Sequence, residues 1–271
     1  MFTVSFDAQS TLLGGQSFVW QSLGNGQDYL LHEAGRIAIL LQKAPNAFET
    51  QPVFGFADAE LKEYFNLLYN QSAQAQLLNL GDKHLTRAIN NLKDFLLLKQ
   101  DFETVFLTFI LSSNNNIKRI RASVYCLTER FGNEVNTRLG KFKLFPGSEK
   151  ISLLSEKELK QCGLGYRAAY LKESAKLFAK HKNNLQNMRE LQLAQALKEF
   201  SGIGDKVADC IAVFSGKAKT FSPIDVHAKR ILKQLYGVEY KHYLDYRKWF
   251  QEKFQDNAAL AGQFLFEYYR K

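Results

Sequence analysis

The most informative segment of the chain is Leu197-Lys198-Glu199-Phe200-Ser201-Gly202-Ile203-Gly204-Asp205-Lys206-Val207-Ala208-Asp209-Cys210. Its pattern predicts a helix that ends near Phe200, a tight glycine turn and a second helix. Gly202 and Gly204 allow a sharp bend and a close approach of another backbone. The second helix then begins beside the turn with free N–H groups and the positive end of its dipole, which together form a site for a phosphate.

Lys206 occupies an unusual position in this stretch. It lies in the first turn of the second helix, where the helix dipole disfavours a positive charge. Stability alone favours Asp or Glu at that position, so the lysine is predicted to serve function. By itself the stretch indicates DNA binding and no particular reaction.

Composition narrows the class of protein. The 271 residues are 46% apolar and carry a net charge of +9. This length allows one large or two small domains with a real core. The positive charge favours a polyanionic partner, although many basic proteins bind no nucleic acid. No apolar run approaches membrane-spanning length, and no signal pattern precedes the strand-like start of the chain, so we expect an intracellular protein without a membrane partner.

The cysteines are sparse and widely spaced: Cys126, Cys162 and Cys210. An odd number argues against a disulfide framework, and three cysteines exclude a four-cysteine zinc or iron–sulfur site within this chain. We therefore expect Cys126 and Cys162 to be buried free thiols, and we predict no metal site.

Hydrophobic periodicity divides the chain into a sheet part and a helical part. Up to about residue 50, alternating apolar residues and turns at Gly24-Asn25-Gly26 and Ala34-Gly35 predict antiparallel strands. From Asp58 the spacing changes to that of amphipathic helices. The predicted fold class is α+β, with an N-terminal antiparallel sheet and flanking helices over residues 1–99. A mostly helical domain follows over residues 100–271, its last helix able to pack on both parts, with a solvated loop at residues 180–184.

Three further segments admit a structural or a functional interpretation. Asn114-Asn115-Asn116 is either a helix-to-helix turn or a set of exposed amides that bond base edges. Tyr166-Arg167 follows a Gly-x-Gly turn and is either a half-buried tyrosine with a solvated arginine or a pair that wedges into a base stack and bonds a base edge. Asp225 precedes a helix and is either an N-cap alone or a catalytic carboxylate. The helix after the asparagines begins with three cations, for which an external anion is the expected partner: Lys118, Arg119 and Arg121.

Together these segments resemble the 8-oxoguanine DNA glycosylase/AP lyase family of the helix–hairpin–helix DNA glycosylase superfamily. Residues 200–210 and 223–227 are similar to the superfamily's hairpin and its aspartate loop, the aspartate following the hairpin lysine by nineteen residues. Residues 112–117, 163–167 and 15–18 narrow the resemblance to the family. It covers nearly the whole chain, in order. The hairpin alone is moderately specific for DNA binding, whereas the five segments together are strongly specific.

The resemblance implies a base-excision repair enzyme that removes 8-oxoguanine opposite cytosine from double-stranded DNA and then cleaves the strand by β-elimination. Lys206 would attack the sugar C1′ and form a Schiff base, which requires a neutral amine. Asp225 would stabilise the positive charge that builds on the sugar as the base leaves. The resemblance implies no cofactor, and we expect a DNA-associated monomer.

The remaining roles implied by the resemblance concern the two strands of the duplex. The flipped base would lie between Cys210 and Phe266, and the Gly15 carbonyl would accept from the N7–H that guanine lacks. Tyr166 would wedge the duplex. The unpaired cytosine would be bound by Asn114, Arg119 and Arg167. A phosphate would be held by Gly202, Gly204, Val207 and His227.

One position departs from the family pattern. The family often has a glutamine that reads the Watson–Crick edge of the base four residues before the pocket phenylalanine. Here that position is Gly262, and Gln263 follows it. Either Gln263 takes the role through a shift of register, or the edge is read more weakly or through water.

Two other functions remain open. A monofunctional alkylated-base glycosylase belongs to the same superfamily, but such enzymes typically lack the hairpin lysine, so Lys206 argues against it. A non-catalytic helix–hairpin–helix DNA-binding protein requires Lys206 and Asp225 to be incidental. Covalent trapping with borohydride and the variant Asp225→Asn separate these possibilities.

Overall fold

The structure is a computed structural model that describes residues 1–24 and 26–270. Asn25, the centre of the predicted Gly24-Asn25-Gly26 turn, lies outside the described residues. The strands are β1 Thr3–Ser5, β2 Trp20–Ser22, β3 Tyr29–Glu33, β4 Arg36–Ala44, β5 Ala47–Phe54, β6 Glu134–Thr137 and β7 Gly140–Lys143. The helices are α1 Ala8–Thr11, α2 Asp58–Phe65, α3 Leu67–Asn79, α4 Lys83–Asn91, α5 Phe102–Ile110, α6 Ile117–Phe131, α7 Ser148–Leu153, α8 Glu156–Gln161, α9 Arg167–Asn187, α10 Glu190–Leu197, α11 Asp205–Phe214, α12 Val226–Tyr236, α13 Tyr243–Phe254 and α14 Ala258–Tyr269.

The N-terminal part is an antiparallel sheet with strand order β1-β5-β4-β3-β2. Its alternating side chains bury one face against the helices, where the rings of Phe6, Phe48 and Phe65 stack. The opposite face carries Leu30 and Ile39, which cluster with Leu144 beside the β6–β7 hairpin. Both faces are therefore covered, and the α+β fold class is confirmed. The β6–β7 hairpin was not predicted from the sequence.

Helix α5 is the centre of the helical part, since every one of its residues is buried. Its Phe106 ring stacks on Phe178 of α9 with 4.3 Å between the ring centroids, and Phe109 stacks on Phe214 of α11 with 5.2 Å between the centroids. Helix α14 packs against α3 and α4 as well as α12 and α13. One hydrophobic cluster runs through both parts of the chain. The proposed domain boundary at residue 99 stays a prediction.

Two local predictions are wrong. Residues 180–184 are not a loop, because α9 continues to Asn187 and Lys182 pairs with Glu103 of α5. Cys126 and Cys162 are not free thiols but form a disulfide, with their Cα atoms 5.3 Å apart. Helix α6 and the end of α8 meet there, and sequence spacing carries no information about that contact. Within the described ranges, no helix has the length and apolarity needed to cross a membrane.

Candidate active site

The hairpin between α10 and α11 has the predicted shape. Gly202 adopts a φ of +82°, a region that favours glycine, and a Cβ there would lie 2.8 Å from the Tyr170 ring. Gly204 is the exposed N-cap residue of α11. Because the first amides of a helix have no intrahelical acceptor, the N–H groups that follow Gly204 are available to an anion. Val207 is buried and anchors this first turn in the core.

The hairpin forms one wall of a cleft with a volume of about 510 Å³. The other walls come from the loop before β2, the segment between α5 and α6, the start of α12 and the middle of α14. The cleft brings together seven residues that matter for chemistry: Gly15, Lys206, Cys210, Asp225, His227, Gln263 and Phe266. These residues are spread over most of the chain and meet only in the folded protein.

The two candidate catalytic side chains both face this cleft. Lys206 is half-buried, and within residues 1–24 and 26–270 it makes no ion pair, since neighbouring Asp205 pairs with Lys198. One oxygen of Asp225 accepts from the Ala228 amide at 2.8 Å and caps α12. The cap uses a single oxygen, so the same carboxylate can cap the helix and present its other oxygen to the cleft.

Cys210 follows Lys206 by one helical turn and is buried at the cleft wall. Burial raises the pKa of the Cys210 thiol to about 11, although the nearby Lys206 opposes the shift. The thiol is therefore neutral at pH 7. Phe266 lines the same cleft, so the neutral sulfur and the aromatic ring both offer apolar surface to a planar base.

A buried network ties the Asp225 loop to the helix of Lys206. Asp209, on α11, forms an ion pair with Arg247, and it accepts from the Tyr243 hydroxyl at 2.8 Å. The same hydroxyl accepts from the amide of Ile224 at 3.1 Å. The residue immediately before Asp225 is thus bonded, through one tyrosine, to α11. This network was not predicted from the sequence, where its signal was a carboxylate within the apolar run that follows Lys206.

Gly262 and Gln263 have different surroundings on α14. A Cβ at residue 262 would lie 2.0 Å from Ser222 Oγ, so Gly262 faces the loop before Asp225 and allows its close packing. Gln263 lines the cleft, and its amide has no hydrogen-bond partner among the described residues. Of the two alternatives for edge reading, this placement favours Gln263.

The three asparagines between α5 and α6 differ in their bonding. The Asn115 amide donates to Leu111 O at 3.0 Å, and the Asn116 side chain caps α6 by accepting from the Arg119 amide at 2.9 Å. Asn114 has a φ of +46°, is exposed, and makes no side-chain hydrogen bond in the described part of the chain. Only Asn114 therefore keeps its amide available for a base edge.

Tyr166 and Arg167 lie beside this loop. Tyr166 is 51% exposed, as a wedge requires. Arg167 is buried: its guanidinium donates to Ser113 O at 2.7 Å and Asn114 O at 2.6 Å, and it stacks on the Tyr166 ring. The alternative of a solvated arginine is therefore wrong, because the asparagine loop supplies carbonyl acceptors that bury the guanidinium. The remaining N–H groups of Arg167 are left for a base. Arg119 is exposed.

The cations at the start of α6 do not share one environment. Lys118 lines the cleft, and both Lys118 and Arg119 are exposed. Arg121 points inward and donates to three backbone carbonyls. The expected external anion is therefore wrong for Arg121, because its partners lie in an N-terminal loop that local sequence cannot bring into view.

Comparison with known proteins places this geometry in a family. The profile of the HhH-GPD superfamily of base-excision DNA repair proteins matches residues 107–256, more than half of the chain. The N-glycosylase/DNA lyase of Saccharomyces cerevisiae is 34% identical over 158 residues, which cover 53% of this chain and 42% of that protein. A probable N-glycosylase/DNA lyase of Methanothermobacter thermautotrophicus is 24% identical over 260 residues, or 85% and 83% of the two chains.

A solved structure extends the similarity. The apo 8-oxoguanine glycosylase/lyase of Clostridium acetobutylicum has a TM-score of 0.83 and 26% identity, covering 97% of this chain and 93% of that chain. The matched part of the present chain spans less than half of the yeast relative. The fold, the hairpin and the profile agree, and the chain belongs to the HhH-GPD superfamily of base-excision DNA repair proteins.

Proposed function

We propose that this protein removes 8-oxoguanine opposite cytosine from double-stranded DNA and cleaves the resulting abasic strand. The observation that carries the proposal is the cleft shared by Lys206 and Asp225, where the lysine has no ion-pair partner among the described residues. The names of relatives support the same activity: the yeast protein is an N-glycosylase/DNA lyase, and the clostridial one an 8-oxoguanine glycosylase/lyase.

The reaction follows from the two side chains. The neutral Lys206 amine attacks C1′ of the sugar, the bond to the base breaks, and Asp225 stabilises the positive charge on the sugar while this happens. The amine then forms a Schiff base with the opened sugar. This imine acidifies the C2′ proton, and β-elimination releases the 3′ phosphate.

Base recognition uses the other walls of the cleft. The Gly15 carbonyl accepts from N7–H of 8-oxoguanine, whereas in guanine an unprotonated N7 would face this oxygen and repel it. A Cβ at residue 15 would meet only the Ile117 side chain, at 3.8 Å, so the glycine leaves this side of the cleft open. The Gln263 amide offers a donor and an acceptor to the Watson–Crick edge. Cys210 and Phe266 hold the faces of the base.

The rest of the duplex is held at the edge of the cleft and beside it. Gly202, Gly204 and Val207, with His227 on α12, bind a phosphate at the hairpin. Tyr166 fills the space that the flipped base leaves. Asn114, Arg119 and Arg167 bind the unpaired cytosine. The protein's place with DNA inside the cell, and its action as a monomer, stay predictions.

Borohydride trapping on a duplex with one 8-oxoguanine:cytosine pair tests the proposal, because reduction converts the Schiff base into a stable amine. We expect a covalent adduct with the wild-type protein and none with Lys206→Gln. Lys160→Gln is the matched control, since Lys160 lies on the surface in a pair with Glu156. We expect Asp225→Asn to slow excision by about 10²–10³-fold while duplex affinity is kept.

Three outcomes would contradict the proposal. An adduct with Lys206→Gln would show that another group is the nucleophile. Base release without any adduct would favour the monofunctional glycosylase. Unchanged behaviour of Asp225→Asn would favour a non-catalytic DNA-binding protein. Repeating the strand-cleavage assay with each base opposite the lesion measures how strictly cytosine is required.

A further inference from the structure

Arg121 is a partly buried arginine, and its hydrogen bonds to the residues that the structure describes all go to the loop formed by residues 12–20. Its Nη1 donates to Trp20 O at 2.9 Å, and its Nη2 donates to Leu12 O at 2.5 Å and to Ser17 O at 2.9 Å. These carbonyls lie on both sides of Gly15. A single guanidinium on α6 therefore bridges the beginning and the end of the segment that presents Gly15 to the cleft.

The surroundings of Arg121 are unfavourable for a charge that serves stability alone. Among the described residues no carboxylate pairs with it, and its Nε is buried without a hydrogen-bond partner. Burial lowers the pKa of Arg121 to about 10. A buried cation without a counter-ion is costly, and an apolar side chain of similar volume is often as stable. The hydrogen bonds to the three carbonyls offset the cost of burying the guanidinium.

Gln16 fixes the same loop from the opposite side. Its amide nitrogen donates to Thr11 O and to Leu96 O, and its amide oxygen accepts from the Leu98 amide at 2.9 Å. Its backbone carbonyl accepts from the side-chain amide nitrogen of Gln100 at 2.6 Å. Arg121 and Gln16 thus hold the two ends and the centre of the loop, on both sides of the Gly15 peptide.

We propose that Arg121 is a positioning residue that aims the Gly15 carbonyl at the flipped base and so sets the discrimination between 8-oxoguanine and guanine. The inference rests on the proposed function, because it assigns the Gly15 carbonyl to N7–H. It predicts a loss confined to the base-removal step. Cleavage at a preformed abasic site involves Lys206 but no base, so it does not depend on where the Gly15 carbonyl points.

The test compares Arg121→Met, which keeps the length of the stem and removes the donors, with Arg121→Lys, which keeps the charge without the fork. Arg130→Met is the matched control, since Arg130 is an exposed arginine on the same helix that bonds to Gln161. Three quantities are measured: single-turnover excision of 8-oxoguanine, strand cleavage at a preformed abasic site, and amide hydrogen exchange of residues 12–20.

We expect Arg121→Met to excise 8-oxoguanine roughly tenfold to hundredfold more slowly, as a small misplacement of a contacting group does. Abasic-site cleavage should stay at the wild-type rate, and exchange in residues 12–20 should become faster. The excision rate of Arg121→Lys should lie between those of Arg121→Met and the wild type. Arg130→Met should match the wild type in all three measurements.

Equal losses of excision and abasic-site cleavage would overturn the inference, because they would mean a general structural role. Wild-type excision by Arg121→Met would also overturn it. If Arg121→Met does not fold, Arg121→Lys provides the test. A lowered ratio of its excision rate to its rate of abasic-site cleavage supports the inference, and a wild-type ratio refutes it. A wild-type protein without excision would refute the proposed function, and the exchange rates would still decide whether Arg121 orders the loop.

Discussion

Replacing Gly262 by alanine tests how closely α14 must approach the loop that ends in Asp225. The new Cβ would lie 2.0 Å from Ser222 Oγ and 2.4 Å from Ser222 Cβ. Rotation of Ser222 moves only its hydroxyl, so the helix and the loop must separate by about 1 Å to restore ordinary contact between carbon atoms. Because Gln263 and Phe266 lie on the same helix, this separation also moves one wall of the cleft away from the carboxylate.

This displacement sets the size of two expected losses, one in the free energy of unfolding and one in the excision rate. Overpacking a well-packed interior typically costs about 1–3 kcal/mol of unfolding free energy, and we expect a loss in that range. Since a displacement of about 1 Å in a catalytic geometry can cost about 100-fold in rate, excision of 8-oxoguanine should fall by up to that factor. Urea unfolding followed by tryptophan fluorescence measures the first quantity, and single-turnover excision measures the second.

Two variants sharpen the result. Gly24→Ala is the matched control, because a Cβ there meets nothing within 4 Å. Ser222→Gly, combined with Gly262→Ala, removes the atoms that clash and should restore most of the lost excision. If Gly262→Ala is as stable and as active as Gly24→Ala, the close packing at Gly262 does not fix the cleft and the reasoning is wrong.

Two further predictions concern stability. Burial alone would raise the pKa of Glu103, but hydrogen bonds from Lys182 and Ser148 outweigh it and lower the pKa. The stabilisation is therefore present above pH 4.5, the ordinary pKa of a glutamate, and is lost as the pH falls through the lowered pKa of Glu103 in the folded protein. Glu103→Gln should therefore flatten the acid side of the plot of unfolding free energy against pH. An unchanged slope on that side would contradict this. Reduction of the disulfide between Cys126 and Cys162, 36 residues apart, should lower the free energy of unfolding by about 3–4 kcal/mol. A variant with serine at both positions should not respond to the reductant. Equal stability of the wild-type protein with and without reductant would argue against the cross-link.

The fold class and the family were predictable because their signals are local. The turn at Gly202 requires a backbone conformation that favours glycine, and the spacing of Leu193 and Leu197 marks the helix before it. The N-cap role of Asp225 was also visible in the sequence, and the structure adds that the capping carboxylate faces the cleft. The roles of the site residues in catalysis and DNA binding stay predictions.

The predictions that failed depend on contacts between distant segments. Cys126 and Cys162 meet because α6 packs near the end of α8, and no spacing rule indicates such a contact. Residues 180–184 are polar and resemble a loop, yet the ion pair of Lys182 with Glu103 and the buried Leu185 support the helix. Polarity alone does not separate a solvated helix face from a loop.

The hairpin, the lysine placed against a helix dipole and the order of the motifs were predictable from residue order alone, because glycine conformations, caps and apolar spacing act over a few neighbouring residues. Three features emerge only in the folded protein: Arg121 turns inward to the Gly15 loop, Gly262 packs on Ser222 and Gln263 faces the cleft. The direction of a side chain is set by the partners that packing brings to it, and those partners lie far away in the sequence.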